Sequence, residues 1–238
     1  MHVLITGASK GIGLAIAKRF ADGEDVSLSL CSRNASELAI ITQELEARSK
    51  VIRVLSEVCD VSLEADVTRF VKRAEERFGP IDVLVNNAGY GRFGPVHEMK
   101  AEDFDGQLAT NLRGAYLVTQ AALPGMKRAK SGTIITISSL AGKNGFVGGA
   151  AYCASKFGVR GLMQSLFLDV REFGLRVVTI FPGSVDTDFF NSGSSATALR
   201  SKNALHAEDV ARAVFSAVAL PGNSTISALE IRPTNPKG

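Results

Sequence analysis

The residues of this chain with the clearest chemical potential lie between Ser139 and Lys156. Tyr152 and Lys156 are four positions apart, so on a helix they share one face about one turn from each other. Ser139 precedes Tyr152 by thirteen positions and follows an apolar run that favours a buried strand. An ammonium beside a phenol stabilises the phenolate and lowers the phenol's pKa, as acid–base chemistry on a carbonyl or an alcohol requires. Because Tyr-x-x-x-Lys also arises by chance, a structural surface pair is the alternative interpretation.

The composition restricts the classes of function. The chain has 238 residues, of which 45% are hydrophobic and 21% charged, as in a globular protein of one α/β domain. The net charge is only +3 and no basic run exceeds two residues, which argues against nucleic acid as a partner. We find no metal-ligand spacing and no apolar run long enough for a membrane span, so we expect neither a metal site nor a membrane anchor. Three cysteines without C-x-x-C spacing favour reduced thiols and a cytoplasmic location.

Strand-like and helix-like segments alternate from end to end. Runs rich in Val, Ile and Leu predict strands at residues 2–6, 26–31, 51–58, 81–85, 132–138, 176–181 and 225–231. Amphipathic periodicity predicts helices at about 11–22, 35–48, 63–78, 103–128, 152–173 and 207–219. This alternation favours a doubly wound α/β fold with a parallel sheet, as one domain over residues 1–238. A long loop at about 188–206 is predicted to be a mobile substrate loop.

A glycine-rich turn, Thr6–Gly13, separates the first strand from the first helix. Its glycines let backbone amides approach a phosphate, and a helix beginning at Gly11 directs its positive end at that anion, although such turns also occur without ligands. The second strand ends at Ser32 and Arg33, where NAD-selecting folds have a carboxylate. A hydroxyl and a guanidinium here, with Lys10 nearby, favour the 2′-phosphate of NADP(H). A solvated loop charge is the alternative for Arg33.

Polar and small residues also follow the later strands. Asp60 is placed to bond an adenine amino group, and the segment Asn86–Gly89 lets the chain pass close to a cofactor. The turn Pro182–Thr187 is placed to cover the nicotinamide end. Asn111 lies inside a predicted helix, although Asn is a poor helix former. It marks either a distortion without consequence or a helix bulge whose freed carbonyl holds a water.

Taken in chain order, these motifs resemble the short-chain dehydrogenase/reductase family, in its single-domain branch. The matching residues are TGASKGIG (Thr6–Gly13), Asp60, NNAG (Asn86–Gly89), Asn111, Ser139, YCASK (Tyr152–Lys156) and PGSVDT (Pro182–Thr187). The resemblance implies a Rossmann-type sheet of seven strands that binds NAD(P)(H). It also implies hydride transfer between the nicotinamide and a substrate carbonyl.

The resemblance further implies roles for single residues. Tyr152 would protonate the developing alkoxide, and Ser139 would hydrogen-bond the same oxygen. Lys156 would lower the pKa of Tyr152 and hold the nicotinamide ribose, while Asn111 would anchor a water that relays protons to Lys156. With the residues argued above, the predicted cofactor site comprises Gly7, Ser9, Lys10, Gly11, Ile12, Gly13, Ser32, Arg33, Asp60, Val61, Asn87, Ala88, Gly89, Tyr152, Lys156, Pro182, Gly183, Val185 and Thr187.

The predicted function is therefore NADPH-dependent reduction of a carbonyl to an alcohol, and a non-catalytic NADP(H)-binding sensor of the same fold is the alternative. The glycine turn and YCASK look like bacterial 3-oxoacyl-carrier-protein reductases. The ending Leu229–Thr234, with Gly91–Gly94 and Ser155–Leu162, looks more like bacterial sepiapterin-reductase-like proteins. The substrate stays open, since its pocket would be built by loops at about 90–97, 140–150 and 184–206.

Assembly is also predicted. In the resembling family the helices at 103–128 and 152–173 pair across two-fold axes, and here they contain more apolar residues than one sheet face needs. A homotetramer or a homodimer is therefore expected. The residues concerned are Leu108, Leu112, Tyr116, Leu117, Leu162, Leu166 and Phe167. The alternative is that they all face the core of one monomer.

Overall fold

The computed structural model describes residues 1–48, 52–187, 189 and 203–235. Over these ranges the chain forms a single Rossmann-like α/β domain of strands alternating with helices, as predicted. The strands are β1 (His2–Thr6), β2 (Ser27–Ser32), β3 (Arg53–Val58), β4 (Val83–Asn86), β5 (Gly132–Ile137), β6 (Leu175–Pro182) and β7 (Ala228–Ile231). The helices are α1 (Gly11–Ala21), α2 (Ala35–Arg48), α3 (Glu64–Phe78), α4 (Ala101–Leu108), α5 (Gly114–Ala129), α6 (Ala150–Val170) and α7 (Ala207–Val218).

The seven strands form one parallel sheet in the order β3-β2-β1-β4-β5-β6-β7. The chain winds outward from β1 to β3 and then returns to β4 beside β1. At this reversal the loops that leave β1 and β4 diverge to opposite faces, which opens a crevice at the carboxyl ends of the strands. Sheets of this kind bind their ligands in that crevice.

Each face of the sheet has its own hydrophobic core. Val3 and Ile5 of β1 point to the face covered by α1, α2 and α7, whereas Leu4 points to the face covered by α3, α5 and α6. Because both faces are covered, the central strands read as continuous apolar runs. Leu117 and Leu166, which were predicted to contribute to a subunit interface, are buried in the second core.

The predicted helix at 103–128 is interrupted. Helix α4 ends at Leu108, a turn of π-helix covers Ala109–Arg113, and α5 follows directly. The interruption contains Asn111, the poor helix former noted in the sequence. The structure thus confirms a helix bulge at this position.

Other boundaries move by a few residues. Helix α6 begins at Ala150 rather than at residue 152, and β7 begins at Ala228 rather than at residue 225. A turn precedes this strand, in which Ser224 N–H donates to the Pro221 carbonyl. The predicted substrate loop at 188–206 lies outside the described residues except for residues 189 and 203–206, so its mobility stays a prediction. No helix in the described part of the chain is long and apolar enough to cross a membrane.

Candidate active site

A cleft of about 850 Å³ lies at the carboxyl edge of the sheet. Residues that follow β1 to β6 all contribute to its wall, which is the consequence of a parallel sheet. Of the predicted site residues, Gly13 and Asn111 do not line it, and every other one does. These residues are far apart along the sequence, and the parallel sheet brings them together at one edge.

The glycine turn after β1 is held against the end of β4. Asn87 Nδ2 donates to the carbonyls of Thr6 and Gly7, both at 3.0 Å. A Cβ on Gly7, whose φ is +65°, would stand 2.8 Å from the Ala88 Cα, and a Cβ on Gly13 would stand 2.3 Å from the Gly7 carbonyl oxygen. Side chains are therefore excluded from both positions. Gly13 thus acts by allowing α1 to pack on the turn rather than by lining the cleft.

This turn fits the phosphates of a dinucleotide. Its backbone lies at the start of α1, where unpaired amides and the helix dipole favour an anion. The first turn of α1 contains no acidic residue, and Lys10 directly precedes it and lines the cleft. The residues present therefore match the chemistry that a pyrophosphate needs.

The adenine end of the cleft contains carboxylates as well as cations, so it is less positive than the sequence indicated. The Arg33 side chain is two-thirds exposed, and its Nη1 lies 3.9 Å from Asp60 Oδ2. Asp60 Oδ1 accepts from the backbone and the hydroxyl of Ser62, which fixes the carboxylate at the end of β3. Glu37, which the sequence reasoning missed, also lines this end and accepts a 2.8 Å hydrogen bond from Ser9 Oγ.

Tyr152 and Ser139 meet at the other end of the cleft. Tyr152 lies in the first turn of α6 and is buried, while Ser139 immediately follows Ser138 at the end of β5. The Ser139 hydroxyl acts on the phenol and lowers the pKa of Tyr152. Ser139 Oγ also accepts from Ala141 N–H at 3.1 Å, so the hydrogen of its own hydroxyl is available for Tyr152.

Lys156 is buried behind Tyr152, one turn further along α6. Its Nζ donates to the Ile137 carbonyl at 2.9 Å and lies 5.7 Å from the centroid of the Tyr152 ring. Burial lowers the pKa of Lys156 to about 8. Burial also raises the pKa of Tyr152 well above its ordinary value, and the Ser139 hydroxyl offsets part of the rise.

The expected depression of the Tyr152 pKa by Lys156 is therefore wrong for the protein alone. The physical reason is that desolvation acts on both groups and penalises the charged form of each. The helical spacing was predicted correctly, but it did not reveal how deeply the pair is buried.

Asn111 lies in the π-helical turn and connects two parts of the site. Its Oδ1 accepts from Tyr90 N–H at 2.9 Å, and its Nδ2 donates to the Tyr90 carbonyl at 2.9 Å and to Ser155 Oγ at 3.0 Å. A Cβ on Gly89 would stand 3.0 Å from Asn111 Oδ1 and 3.7 Å from Lys156 Nζ. The side chain of Asn111 thus fixes the loop after β4 against α6, close to Lys156.

The end of β6 closes the cleft opposite the glycine turn. Pro182, Gly183, Val185 and Thr187 all line it, and the Thr187 methyl lies 3.4 Å from the position of a Cβ on Gly11. Gly183 N–H donates to the Ile231 carbonyl, which ties this segment to β7.

Three phenylalanines of the site were not identified individually from the sequence. Phe93, Phe146 and Phe189 line the cleft near Tyr152, one in each of the loops predicted at 90–97, 140–150 and 184–206. The positions of these loops were predicted correctly. The convergence of their aromatic side chains had no signal in the sequence, because the loops are remote from one another along the chain.

Comparison with known proteins agrees with this geometry. Residues 1–198 match the family model described as short chain dehydrogenase. A sepiapterin reductase of Chlorobaculum tepidum is 39% identical, with 98% of this chain and 96% of the relative covered. Among solved structures, a metagenomic short-chain oxidoreductase in complex with NADP has a TM-score of 0.84 at 37% identity, with 99% of this chain and 97% of that chain covered. An alcohol dehydrogenase from the archaeon Thermococcus sibiricus, complexed with 5-hydroxy-NADP, has a TM-score of 0.89 at 31% identity, covering 98% and 96%.

Proposed function

The chain belongs to the short-chain dehydrogenase family, and on this premise we propose that it reduces a carbonyl substrate to an alcohol with NADPH, with Tyr152 as the general acid. The observation that supports this most directly is that Ser139 and Tyr152 both lie at the cleft wall, with Lys156 buried behind Tyr152. A substrate oxygen within reach of both hydroxyls would meet two hydrogen-bond donors.

Each residue has a distinct task in this proposal. When bound, the nicotinamide cofactor supplies the hydride. Tyr152 gives its phenolic proton to the oxygen that becomes negative, and Ser139 stabilises the same oxygen as a donor. Lys156 in its charged form favours loss of the Tyr152 proton. The raised pKa of Tyr152 keeps the phenol protonated before reaction, as a proton donor requires.

The choice of NADPH over NADH rests on the adenine end of the cleft. Arg33 and Lys10 supply cations there, and β2 ends at Ser32 without a carboxylate. Arg and Lys suit a 2′-phosphate, whereas a carboxylate after β2 suits the free ribose hydroxyls of NAD. Solved relatives complexed with NADP support the same choice.

We also propose a cytoplasmic location. Its three cysteines are free and buried, which fits a reducing compartment.

Substitution of Tyr152 by Phe tests the proposal, since it removes one hydroxyl from a buried ring. We expect turnover of ketones to fall by about 10²- to 10⁴-fold, as is typical for loss of a general acid. NADPH affinity and melting temperature should change little. The measurement is NADPH consumption with a panel of ketones, diketones, pteridines and acyl thioesters.

Ser139→Ala provides a second variant, which should lower the rate without weakening NADPH binding. An unchanged turnover in Tyr152→Phe would contradict the mechanism. A wild-type protein that binds NADPH but consumes none with any member of the panel would instead support the non-catalytic sensor.

A further inference from the structure

The loop after β5 holds Ser139 at the start of a single 3₁₀ turn. Ser139 Oγ accepts from Ala141 N–H at 3.1 Å, and the Ser139 carbonyl accepts from Gly142 N–H at 2.8 Å. Lys143 ends the turn, and its N–H donates to the Leu140 carbonyl at 2.9 Å. The direction of the Ser139 hydroxyl therefore depends on where this turn is held in the fold.

The Lys143 side chain connects the turn to β7, the last strand of the sheet. Its Nζ donates to Glu230 Oε1 and lies 4.4 Å from the centroid of the Phe181 ring. Phe181 on β6 and Glu230 on β7 are register partners in the parallel sheet, so the ring and the carboxylate lie side by side. The ammonium contacts both of them, and only 26% of the Lys143 side chain is exposed.

Glu230 is also held by a second cation, Arg232. Arg232 Nη2 and Nε donate to Glu230 Oε2 at 2.7 and 3.1 Å. Lys143 and Arg232 together hold the pKa of Glu230 below its ordinary value, so the carboxylate is charged at neutral pH. A single exposed ion pair contributes little to stability, whereas a carboxylate fixed by two cations forms a small network. The network gives Lys143 a defined place at the edge of the sheet.

The network acts on the cleft only at a distance. Ser139, Leu140 and Ala141 line the cleft, but Lys143 and Glu230 do not. An effect of Glu230 on the reaction must therefore pass through Lys143 and the turn that Lys143 ends.

We infer that Glu230 is a positioning residue, which through Lys143 holds the turn after Ser139 so that the Ser139 hydroxyl faces the substrate oxygen. The inference rests on the proposed function, and it adds a residue of the last strand to the groups on which Ser139 depends. A donor aimed at the developing negative charge acts mainly in the transition state, so its displacement lowers kcat more than it changes KM.

Glu230→Gln tests the inference, since it keeps the size of the side chain and removes its charge. We expect kcat to fall by about 3- to 10-fold for the ketone that wild type reduces fastest, as loss of an ion pair in a small network predicts. KM and NADPH affinity should stay the same. Lys143→Met should have the same effect as Glu230→Gln, and the double variant should be no slower than either. Lys143→Arg keeps the cation and should retain most of the rate.

Dependence on Ser139 distinguishes positioning from a general effect on stability. In a Ser139→Ala background, Glu230→Gln should cause no further loss of kcat, because the group that it positions is absent. A fall of equal size in both backgrounds would overturn the inference. Glu76→Gln is the matched control, since it removes a carboxylate from another exposed ion pair, with Lys72 on α3, and should leave kcat unchanged.

A second readout separates this inference from the proposed function. Hydrogen exchange of the Ala141, Gly142 and Lys143 amides is measured without ligand in wild type and in Glu230→Gln. Faster exchange confined to these amides supports the anchor even if wild type reduces no ketone, an outcome that would overturn only the proposed function. Unchanged exchange at these amides, or a rise spread evenly over the whole sheet, would overturn the inference and leave the reduction of carbonyls standing.

Discussion

At the scale of single residues, Lys156 is a buried amine whose Nζ donates to a backbone carbonyl, that of Ile137, rather than to a carboxylate. Burial lowers its pKa to about 8, from 10.5 for the unperturbed group. The folded protein therefore binds fewer protons than the unfolded chain between these two values. The contribution of Lys156 to stability must accordingly rise with pH across that window and stay at its lower level below it, where the amine is charged in both states.

Lys156→Met should make the protein without cofactor more stable at pH 7, by on the order of 1–3 kcal/mol, because the buried charge is removed. The gain should shrink as the pH rises toward 10.5, and above that value the wild-type amine is mostly neutral in both states. Urea unfolding at several pH values measures both effects. Lys72→Met, at an exposed position of α3, is the control and should show no such pH dependence. A Lys156 variant with the same stability profile as wild type would contradict the assigned burial.

The second prediction for single residues concerns the two charges that face the adenine end. Arg33→Ala should weaken NADPH binding by about 10- to 100-fold, the value of one charge-assisted hydrogen bond to the 2′-phosphate. Glu37→Gln should act in the opposite direction, because the Glu37 carboxylate at Ser9 opposes a second anion. Fluorescence titration with NADPH measures both changes.

Titration with NADH is the internal control, since NADH lacks the 2′-phosphate and should bind the Arg33 variant as it binds wild type. Ser32→Asp should invert the preference by adding a carboxylate where β2 ends. Equal affinity of wild type for both cofactors would refute this assignment.

At the scale of elements, the π-helical turn Ala109–Arg113 joins two helices and directs Asn111 inward. Such turns have one residue more than an α-helical turn and are common at functional sites. Here the turn lets one side chain satisfy both backbone groups of Tyr90.

Asn111→Leu should therefore destabilise the protein by about 2–4 kcal/mol, because it leaves buried donors and acceptors without partners. It should also slow turnover by releasing the loop after β4 from α6. Thermal unfolding and ketone reduction are the measurements. Arg113→Ala, on the exposed side of the same turn, should have a much smaller effect on both. Equal stability of the two variants would mean that the hydrogen bonds between Asn111 and Tyr90 do not stabilise the fold.

At the scale of the whole molecule, exposed aromatic and aliphatic side chains lie on α4, α5 and α6. They are Phe104, Tyr116, Phe157 and Leu168, exposed by 38%, 44%, 44% and 58%. Tyr116 was predicted as an interface residue, and Leu112, Leu162 and Phe167, also predicted, are partly buried and pack against the protein's own core. Assembly through α5 and α6 stays a prediction, now with a different set of contact residues.

We expect a dimer or tetramer by light scattering at micromolar concentration. Tyr116→Glu and Leu168→Glu should each shift the protein toward smaller species, because a charge would be buried in the contact. Ile40→Glu, at a 65% exposed position on α2, is the matched control on the other face of the sheet. A wild-type mass equal to one chain would refute the prediction.

Much of the fold, and most of the residues that line the site, could be predicted from the sequence. Apolar runs and period-3.6 patterns are local properties, so strands and helices were predicted to within a few residues, apart from the break at Asn111. In a parallel sheet every strand points the same way. Residues that follow a strand, such as Gly7, Ser139 and Pro182, must then meet at one edge whatever their separation in the chain.

The tertiary structure decided what depends on contacts between distant segments. Burial reversed the expected direction of the Tyr152 pKa, because desolvation depends on everything packed around the phenol and not on its spacing from Lys156. The bond between Ser9 and Glu37, the tether from Asn111 to Tyr90, and the meeting of Phe93 with Phe146 have the same origin. Sequence spacing determines which side chains share one helix or strand, whereas the packing of loops from different strands determines which of them touch.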